Sequence, residues 1–261
     1  SLGAAIKKKK DEMKNVRIIT LLATGLILSA LLATTHLYDK TTEKKDNKST
    51  ISTAIVDKTS LDSVIDFGYN CMWFAVKTTD KKELTKALKI KNISESNWKV
   101  GVDSAYKGAI FITPHIADWT LACGSGLPHA DSKEGIEEIN KILCALSNEF
   151  GEAQFFCTNH VVEYHCWIKA TKGRITRIYS YIGETGENII IKGKPTTFEK
   201  TMNLVNTFSN EAKSESYLER KDIVFPDEEL VMKVAENWSV NPTTLSKRKD
   251  IATELGILGQ R

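Results

Sequence analysis

The longest hydrophobic stretch of the chain covers residues 18–38, where none of the 21 side chains is Asp, Glu, Lys or Arg. A helix rises about 1.5 Å per residue, so this stretch reaches roughly 30 Å, the thickness of a bilayer's hydrocarbon core. Its Thr and Ser hydroxyls can bond back to the helix backbone, and Tyr38 suits the membrane interface. The pattern predicts one N-terminal transmembrane helix.

Three interpretations of this stretch compete. An uncleaved signal anchor is favoured because the run is longer than the apolar core of an ordinary signal peptide. A cleaved signal peptide, which would leave a secreted or periplasmic protein, is the alternative, although Leu31 and Ala33 are the nearest approach to a small-x-small cleavage site. A buried core helix is the third, and such helices normally show a polar face.

The basic residues of the chain are concentrated before this stretch. Residues 1–17 carry a net charge of +4, whereas the whole chain carries +3, so the part after residue 38 is close to neutral. Positive charge before the span predicts a cytoplasmic N-terminus and a domain outside the cytoplasm. A nucleic-acid binder would carry its positive charge on the folded surface, so no nucleic-acid partner is expected.

Four segments follow from this pattern. Residues 1–17 are a basic leader. Within it, Met13 precedes the hydrophobic run as a natural start residue would. If translation starts there, residues 1–12 are upstream sequence, a cloning remnant or the end of a longer chain. Residues 18–38 are the transmembrane helix. Residues 39–50 contain no apolar side chain and form a polar linker. Residues 51–261 are expected to form a single soluble domain.

Within that domain, short hydrophobic runs alternate with helical patterns. We predict strands at residues 70–78, 109–113, 119–123, 153–158, 162–171, 174–182 and 187–192, with a hairpin turn at Lys172-Gly173. We predict helices at 80–88, 96–106, 132–150, 226–238 and 241–255. Strands that are grouped together, with helices before and after, indicate an α+β fold with a mostly antiparallel sheet and flanking helices.

The predicted strand 162–171 carries the clearest candidate chemistry. Glu163 and His165 would share one face of it, with His160 just upstream, and the hairpin would set His165 opposite Ser180. A carboxylate beside an imidazole suits general-base catalysis or metal binding. His115 and Asp118 could complete a metal site, but the spacing matches no helical metalloprotease motif, and a structural hydrogen-bonded pair is the simpler interpretation.

A second candidate is a recognition surface on the same hairpin. Tyr164, Tyr179 and Tyr181 would cluster on one face beside Arg177, and tyrosine and arginine are enriched in binding surfaces when they are exposed. Core packing is the competing interpretation for these rings.

Five cysteines occur, at positions 71, 123, 144, 157 and 166, all in apolar stretches and without a CxxC pair. A zinc cluster or a redox dithiol of the usual spacing is therefore not predicted. Buried free thiols are the default expectation, and one or two disulfides are the alternative if the domain is extracytoplasmic.

The order of several landmarks resembles a group of bacterial proteins of unassigned function. They are Trp73-Phe74-Ala75-Val76-Lys77-Thr78, the Trp119-Thr120-Leu121 strand, Thr158 to His165, residues 174–187, and residues 227–242. The resemblance covers roughly residues 70–245 and implies one intact bacterial domain, with no activity, cofactor or partner attached to it.

The function that these patterns favour is a membrane-tethered, non-enzymatic binding protein of the bacterial envelope, such as an immunity or sensor protein. Its partner would be a protein outside the cytoplasm. The alternative is an envelope hydrolase or metal-dependent enzyme that uses His160, Glu163 and His165. The sequence identifies no cofactor.

Overall fold

A nine-stranded antiparallel sheet forms the centre of residues 59–261, the part of the chain that this computed structural model describes. The strands of this sheet are β1 (Met72–Val76), β2 (Lys91–Ser96), β3 (Ile110–Ile112), β4 (Thr120–Cys123), β5 (Glu152–Asn159), β6 (Tyr164–Thr171), β7 (Arg174–Ile182), β8 (Glu187–Lys192) and β11 (Gly256–Gln260). Their order across the sheet is β2-β11-β3-β4-β1-β5-β6-β7-β8. A separate parallel pair consists of β9 (Asn203–Leu204) and β10 (Ile223–Val224).

In residues 59–261, four α-helices flank the sheet: α1 (Lys81–Ala87), α2 (Trp98–Ala105), α3 (Lys133–Phe150) and α4 (Glu228–Trp238). Each begins after a residue whose side chain accepts a hydrogen bond from the first turn, namely Asp80, Asn97, Ser132 and Asp227. Such caps satisfy backbone N–H groups that have no partner within the helix. Short 3₁₀ helices lie at Glu199–Thr201, Glu211–Lys213, Tyr217–Glu219 and Pro242–Lys247.

The sheet has a hydrophobic core on each face. One core packs α1 and α3 against side chains such as Phe74 and Phe155. The other packs α2, α4 and the segment between β8 and β11 against side chains such as Trp73, Phe156 and Trp167. Because alternate residues of a strand point to opposite faces, a strand that is buried on both sides is apolar throughout, as β1 is.

The prediction of an α+β fold with a mostly antiparallel sheet and flanking helices is confirmed. The helix predicted at residues 241–255 is wrong. There, a 3₁₀ helix at Pro242–Lys247 is followed by an irregular segment and then by β11, which inserts between β2 and β3. After Lys247 the chain leaves the helical path and contacts the β3–β4 loop, where Ile251 forms a bridge with Ile116 and the N–H of Ala252 donates to the carbonyl of His115.

The hairpin of β6 and β7 turns at Lys172-Gly173 as predicted, but its register differs from the prediction. A β-bulge adds one residue to β7 between Ile175 and Arg177, so His165 lies opposite Tyr181 rather than Ser180. A bulge sets two residues against one on the partner strand, and it therefore shifts every later pair by one position.

The two ends of the sheet carry different loops. At one end, which we call the hairpin end, the turn of residues 160–163 joins β5 to β6, and Met72 lies opposite Cys157. At the opposite end, Val76 lies between Thr120 and Ala153, beside the loop that joins β3 to β4. The two ends are separated by the length of β1.

The first described residues are held near the end of the sheet that is opposite the hairpin end. The carboxylate of Asp62 accepts hydrogen bonds of 2.8 Å from the backbone N–H groups of Trp98 and Lys99, at the start of α2. The last residue of α2, Ala105, accepts from the backbone N–H and the hydroxyl of Ser125 at the hairpin end. Helix α2, about 12 Å long, therefore runs between the two ends.

Within residues 59–261, no helix combines the length and the apolar character that crossing a membrane requires. The predicted transmembrane helix 18–38, the leader 1–17 and the linker 39–50 lie outside the described residues, so they stay predictions.

Candidate functional site

The turn between β5 and β6 carries two of the predicted site residues. His160 and Glu163 are exposed in this turn, and Glu163 has a left-handed backbone with φ of 49°. The turn begins after Asn159, whose side chain accepts a hydrogen bond from the N–H of Val161 at 2.9 Å, and it extends through Glu163. Glu163 therefore lies outside the strand, and the prediction that it shares a strand face with His165 is wrong.

The position of Glu163 depends on a glycine in the neighbouring strand connection. The N–H of Gly183 donates to the carbonyl of Glu163 at 2.9 Å. A Cβ atom at Gly183 would lie 2.5 Å from Glu163 Oε2 and 2.6 Å from Glu163 Cβ. Only glycine lets the two segments approach this closely.

His165 lies in β6, and its side chain is buried in a hydrogen-bonded chain. Its Nδ1 is 3.1 Å from the Thr158 hydroxyl, which is in turn 3.1 Å from Glu228 Oε1. A hydroxyl has one proton to donate and a carboxylate can only accept, so Thr158 donates to Glu228 and accepts from His165. This arrangement places the proton of the neutral imidazole on Nδ1. Glu228 Oε1 also accepts from the backbone N–H of Asn70 at 2.8 Å.

Burial determines the ionisation of His165. Loss of solvent lowers the pKa of the imidazole from its ordinary value of 6.5, although the nearby carboxylates of Glu228, Asp227 and Glu163 oppose this shift. His165 is therefore neutral at pH 7. A neutral imidazole that is fixed by its neighbours can serve as a structural connector or as a base, depending on what reaches its other nitrogen.

His115 and Asp118 lie away from the other candidates. Both belong to the loop between β3 and β4, at the end of the sheet opposite His160 and Glu163. The Nδ1 atom of His115 is 3.0 Å from the carbonyl of Ala117. Across residues 59–261, no three side chains of His, Cys, Asp or Glu are grouped so that they could hold a metal ion. The structure does not bring the five predicted metal ligands together.

The predicted recognition surface is not exposed in this structure. Arg177, Tyr179 and Tyr181 face one core and Tyr164 faces the other, and all four are at most 5% exposed. They differ in face because Tyr164 aligns with Cys166 and Ile168 along β6, whereas the other three alternate along β7 toward the opposite side. Core packing and hydrogen bonds account for these side chains.

A buried ion pair accounts for Arg177. Its Nε and Nη2 atoms donate to Glu199 Oε1 at 2.8 and 2.7 Å, and the indole N–H of Trp167 donates to the same oxygen at 2.9 Å. Thr196 donates to the second oxygen through its backbone N–H and its hydroxyl. Burial alone would raise the pKa of Glu199, but the hydrogen bonds from Arg177 and Thr196 bring it below its ordinary value, so the carboxylate is ionised.

The hairpin end contains a cavity of about 250 Å³, which no single sequence motif indicated. It lies where the start of β1, the end of α2, the loop before α3 and the β5–β6 hairpin meet. Its lining residues are Asn70, Cys71, Met72, Tyr106, Ser125, His129, Ala130, Asp131, Cys157, Thr158, Asn159, Val162 and Tyr164. Thr158 joins this cavity to the chain of hydrogen bonds that contains His165.

Two tyrosine hydroxyls hold the walls of the cavity. Tyr164 donates to the carbonyl of Ala130 through a short hydrogen bond and so fixes the loop before α3 to the hairpin. Tyr106 donates to the carbonyl of Tyr69 at 2.9 Å and accepts from the N–H of Gly68 at 3.3 Å. Both contacts join segments that are more than 30 residues apart, so the cavity is a product of the tertiary fold.

Three exposed hydrophobic side chains belong to the lining of the cavity or are next in sequence to it. Val161, which precedes the lining residue Val162, is 76% exposed, and Tyr69 and Tyr106 are 47% and 44% exposed. Large apolar side chains that stay exposed beside a concavity are typical of binding sites. We call the cavity together with Tyr69, Tyr106 and Val161 the hairpin-end cleft.

All five cysteines are free in the described part of the chain. Burial raises the pKa of Cys71 to about 12 and that of Cys166 to about 12, and it also raises the pKa of Cys157 well above its ordinary value. Near pH 7 these thiols are protonated. Cys71 and Cys157 line the cavity.

Comparison of the chain with protein-family models, with curated proteins and with solved structures finds no match. The proposed function therefore depends on the geometry of the hairpin-end cleft and on the sequence pattern before it.

Proposed function

We propose that this chain is a membrane-tethered binding protein of the bacterial envelope, and that the hairpin-end cleft contacts a protein partner outside the cytoplasm. The observation that carries the proposal is a cavity of about 250 Å³ that is lined in part by Tyr106, with Tyr69 and Val161 next in sequence to lining residues, and these three side chains are 44–76% exposed. An immunity or sensor protein is one concrete form of this function.

The cleft and the first residues of the described domain lie at opposite ends of α2. Asp62 is held at the start of α2, and the cleft lies at the end of α2. A polar linker such as residues 39–50 would let the domain turn toward a partner.

The alternative of an envelope hydrolase depends on His160, Glu163 and His165 acting together. His160 and Glu163 are exposed in the turn, whereas His165 is buried against Thr158. Because these contacts point to structural support by His165, the binding function is the one that the geometry favours.

The test compares two exposed hydrophobic positions in the full chain. Val161 is in the cleft, and Ile93, which is 58% exposed, is in the edge strand β2. The wild-type chain, Val161→Asp and Ile93→Asp are each purified from envelope extracts in a mild detergent, and the co-purifying proteins are quantified by mass spectrometry. Both substitutions are at the surface and should change folding stability by no more than about 0.5 kcal/mol.

We expect one specific envelope protein to accompany the wild-type chain and the Ile93→Asp variant, and to fall by about tenfold or more with Val161→Asp. Placing a charge in an apolar contact costs at least about 1.4 kcal/mol of binding free energy, which corresponds to that factor. Equal recovery with both variants, or no specific protein with the wild-type chain, would count against the proposal.

A further inference from the structure

Two cysteines lie side by side at the base of the hairpin-end cleft. Cys157 in β5 and Cys166 in β6 are direct partners in the antiparallel register, and both belong to the core that packs against α3. Cys157 lines the cavity, whereas Cys166 is fully buried behind it. Cys157 therefore borders the cavity, whereas Cys166 does not.

The spacing of this pair allows a strained covalent bond. Gly151 and Lys172 directly continue the ladder of β5 and β6 and are a hydrogen-bonded pair, because the N–H of Lys172 donates to the carbonyl of Gly151 at 2.9 Å. In an antiparallel ladder, hydrogen-bonded pairs occur at every second position. Cys157 and Cys166, six positions further along, are therefore a hydrogen-bonded pair as well. The Cα atoms of these pairs lie about 5.5 Å apart, inside the range of roughly 4.4–6.8 Å that disulfides span. Their Cβ atoms lie toward the far end of about 4.5–5.5 Å, beyond the roughly 3.5–4.5 Å of a relaxed disulfide. The two strands must therefore move together for the bond to form, and the bond is then strained and readily reduced.

We propose that Cys157 and Cys166 form a redox-active thiol pair, which a small disulfide that enters the cavity converts into an intramolecular disulfide. The Cys157 thiolate attacks one sulfur of the small disulfide, whose S–S bond breaks and releases one half as a thiolate. The Cys166 thiolate then attacks Cys157 Sγ and displaces the second half. In sum, the two protein thiols lose two protons and two electrons, and the small disulfide is reduced to two thiols.

The bond would cross-link the strands that hold the turn of residues 160–163. Val161 and Val162 of that turn belong to the hairpin-end cleft, so oxidation would fix the cleft's wall. The reaction requires no partner protein. Its failure would therefore leave the proposed binding function untouched, and a failure of that function would leave the thiol chemistry intact.

The experiment uses the full chain in a mild detergent and 2-hydroxyethyl disulfide as the oxidant. After incubation, free thiols are alkylated and the peptides are mapped by mass spectrometry without reduction. Cys144 is half-buried and serves as the internal reference, because it lies on helix α3 and not in the strand pair that holds Cys157 and Cys166. We expect a peptide that links Cys157 to Cys166 with the loss of two hydrogens, while Cys144 carries half of the reagent.

The variants separate the two steps. In Cys166→Ala, Cys157 should stop as a mixed disulfide with half of the reagent, whereas in Cys157→Ala the buried Cys166 should stay unmodified. Cys144→Ala should form the linked pair at the wild-type rate. Between pH 7 and pH 9, the rate of linkage should rise about tenfold per pH unit, because the thiolate is the attacking form and burial keeps its fraction low.

Three results would overturn the proposal. One is complete modification of Cys144 with Cys157 still free. The second is a stable mixed disulfide at Cys157 in the wild-type chain. The third is a link from Cys157 to Cys71, the other thiol that lines the cavity. The wild-type measurement decides by itself, so a variant that does not fold leaves the test valid.

Discussion

His165 shows what a single residue contributes to this site. It was predicted to face a carboxylate in its own strand, but the carboxylate that it reaches is Glu228, through the hydroxyl of Thr158. Glu228 comes from the first turn of α4, more than 60 residues later, so the sequence pattern around His165 contained no sign of it. The imidazole connects β5 and β6 to α4 at the base of the cleft.

The burial of His165 predicts a dependence of stability on pH. Its pKa in the folded chain is below 6.5, so between 6.5 and that lower value the unfolded chain binds more protons than the folded chain. The contribution of neutral His165 to stability is therefore complete above pH 6.5 and is lost as the pH falls through this range. Urea unfolding of the full chain in a mild detergent, at pH 7.5 and pH 5.5, measures the effect.

The matched variants are His165→Gln, which keeps a donor toward Thr158 but does not titrate, and His129→Gln, which changes an exposed imidazole. We expect the wild-type chain and His129→Gln to lose more stability between the two pH values than His165→Gln does. An equal loss in all three would contradict the account of His165.

At the scale of elements, apolar strands and the helix that begins after Ser132 were predictable, whereas the edge strand β2 and the bulge in β7 were not. The strands at 109–113 and 119–123 and the helix capped by Ser132 follow from local hydrophobic patterns, and the structure contains all three. Strand β2 was missed because it is a polar edge strand, with Lys91, Asn92 and Glu95 exposed. The bulge in β7 was missed because no residue type requires it.

The ion pair of Arg177 and Glu199 joins β7 to the 3₁₀ helix Glu199–Thr201, and it should be important for stability. The two side chains are 4% and 0% exposed. Arg177→Met would leave an ionised carboxylate buried with fewer donors, which typically costs about 3–5 kcal/mol. We expect a loss of that size in the free energy of unfolding, measured by chemical denaturation of the full chain.

An exposed pair provides the control for that measurement. Lys99 and Asp103 form an ion pair on α2 with side chains that are 62% and 53% exposed. Lys99→Met should cost less than about 1 kcal/mol because solvent screens such pairs. Adding Glu199→Gln to Arg177→Met should recover part of the loss, since the uncompensated charge is then removed. Similar costs for Arg177→Met and Lys99→Met would refute the role of the buried pair.

At the scale of the whole molecule, the fold class could be predicted from the grouping of strands, but the cleft could not. Its lining comes from residues 70–72, 106, 125–131 and 157–164, which only the tertiary fold brings together. Gly124, Ser125 and Gly126 lie in a turn, and nothing in the sequence showed that this turn would line the same cavity as Asn70 and Thr158. Arg177 and the three tyrosines that were predicted to form an exposed binding surface on the hairpin are buried in the core instead.

The predicted anchor belongs to the same scale. If residues 18–38 form an uncleaved transmembrane helix, the full-length chain should sediment with membranes and resist extraction by alkaline carbonate, and deletion of residues 18–38 should release it. A shorter chain in the soluble envelope fraction would indicate signal cleavage instead. An unprocessed chain in the cytosol would contradict both.

The central claim is that the hairpin-end cleft is the surface that meets the partner. The most direct measurement replaces Val161, and separately Ile93, with a photo-crosslinking amino acid in the full chain and compares covalent adducts in living cells. We expect one discrete adduct from position 161 and about tenfold less of it from position 93. Equal yields at the two positions, or no adduct at position 161, would contradict the claim.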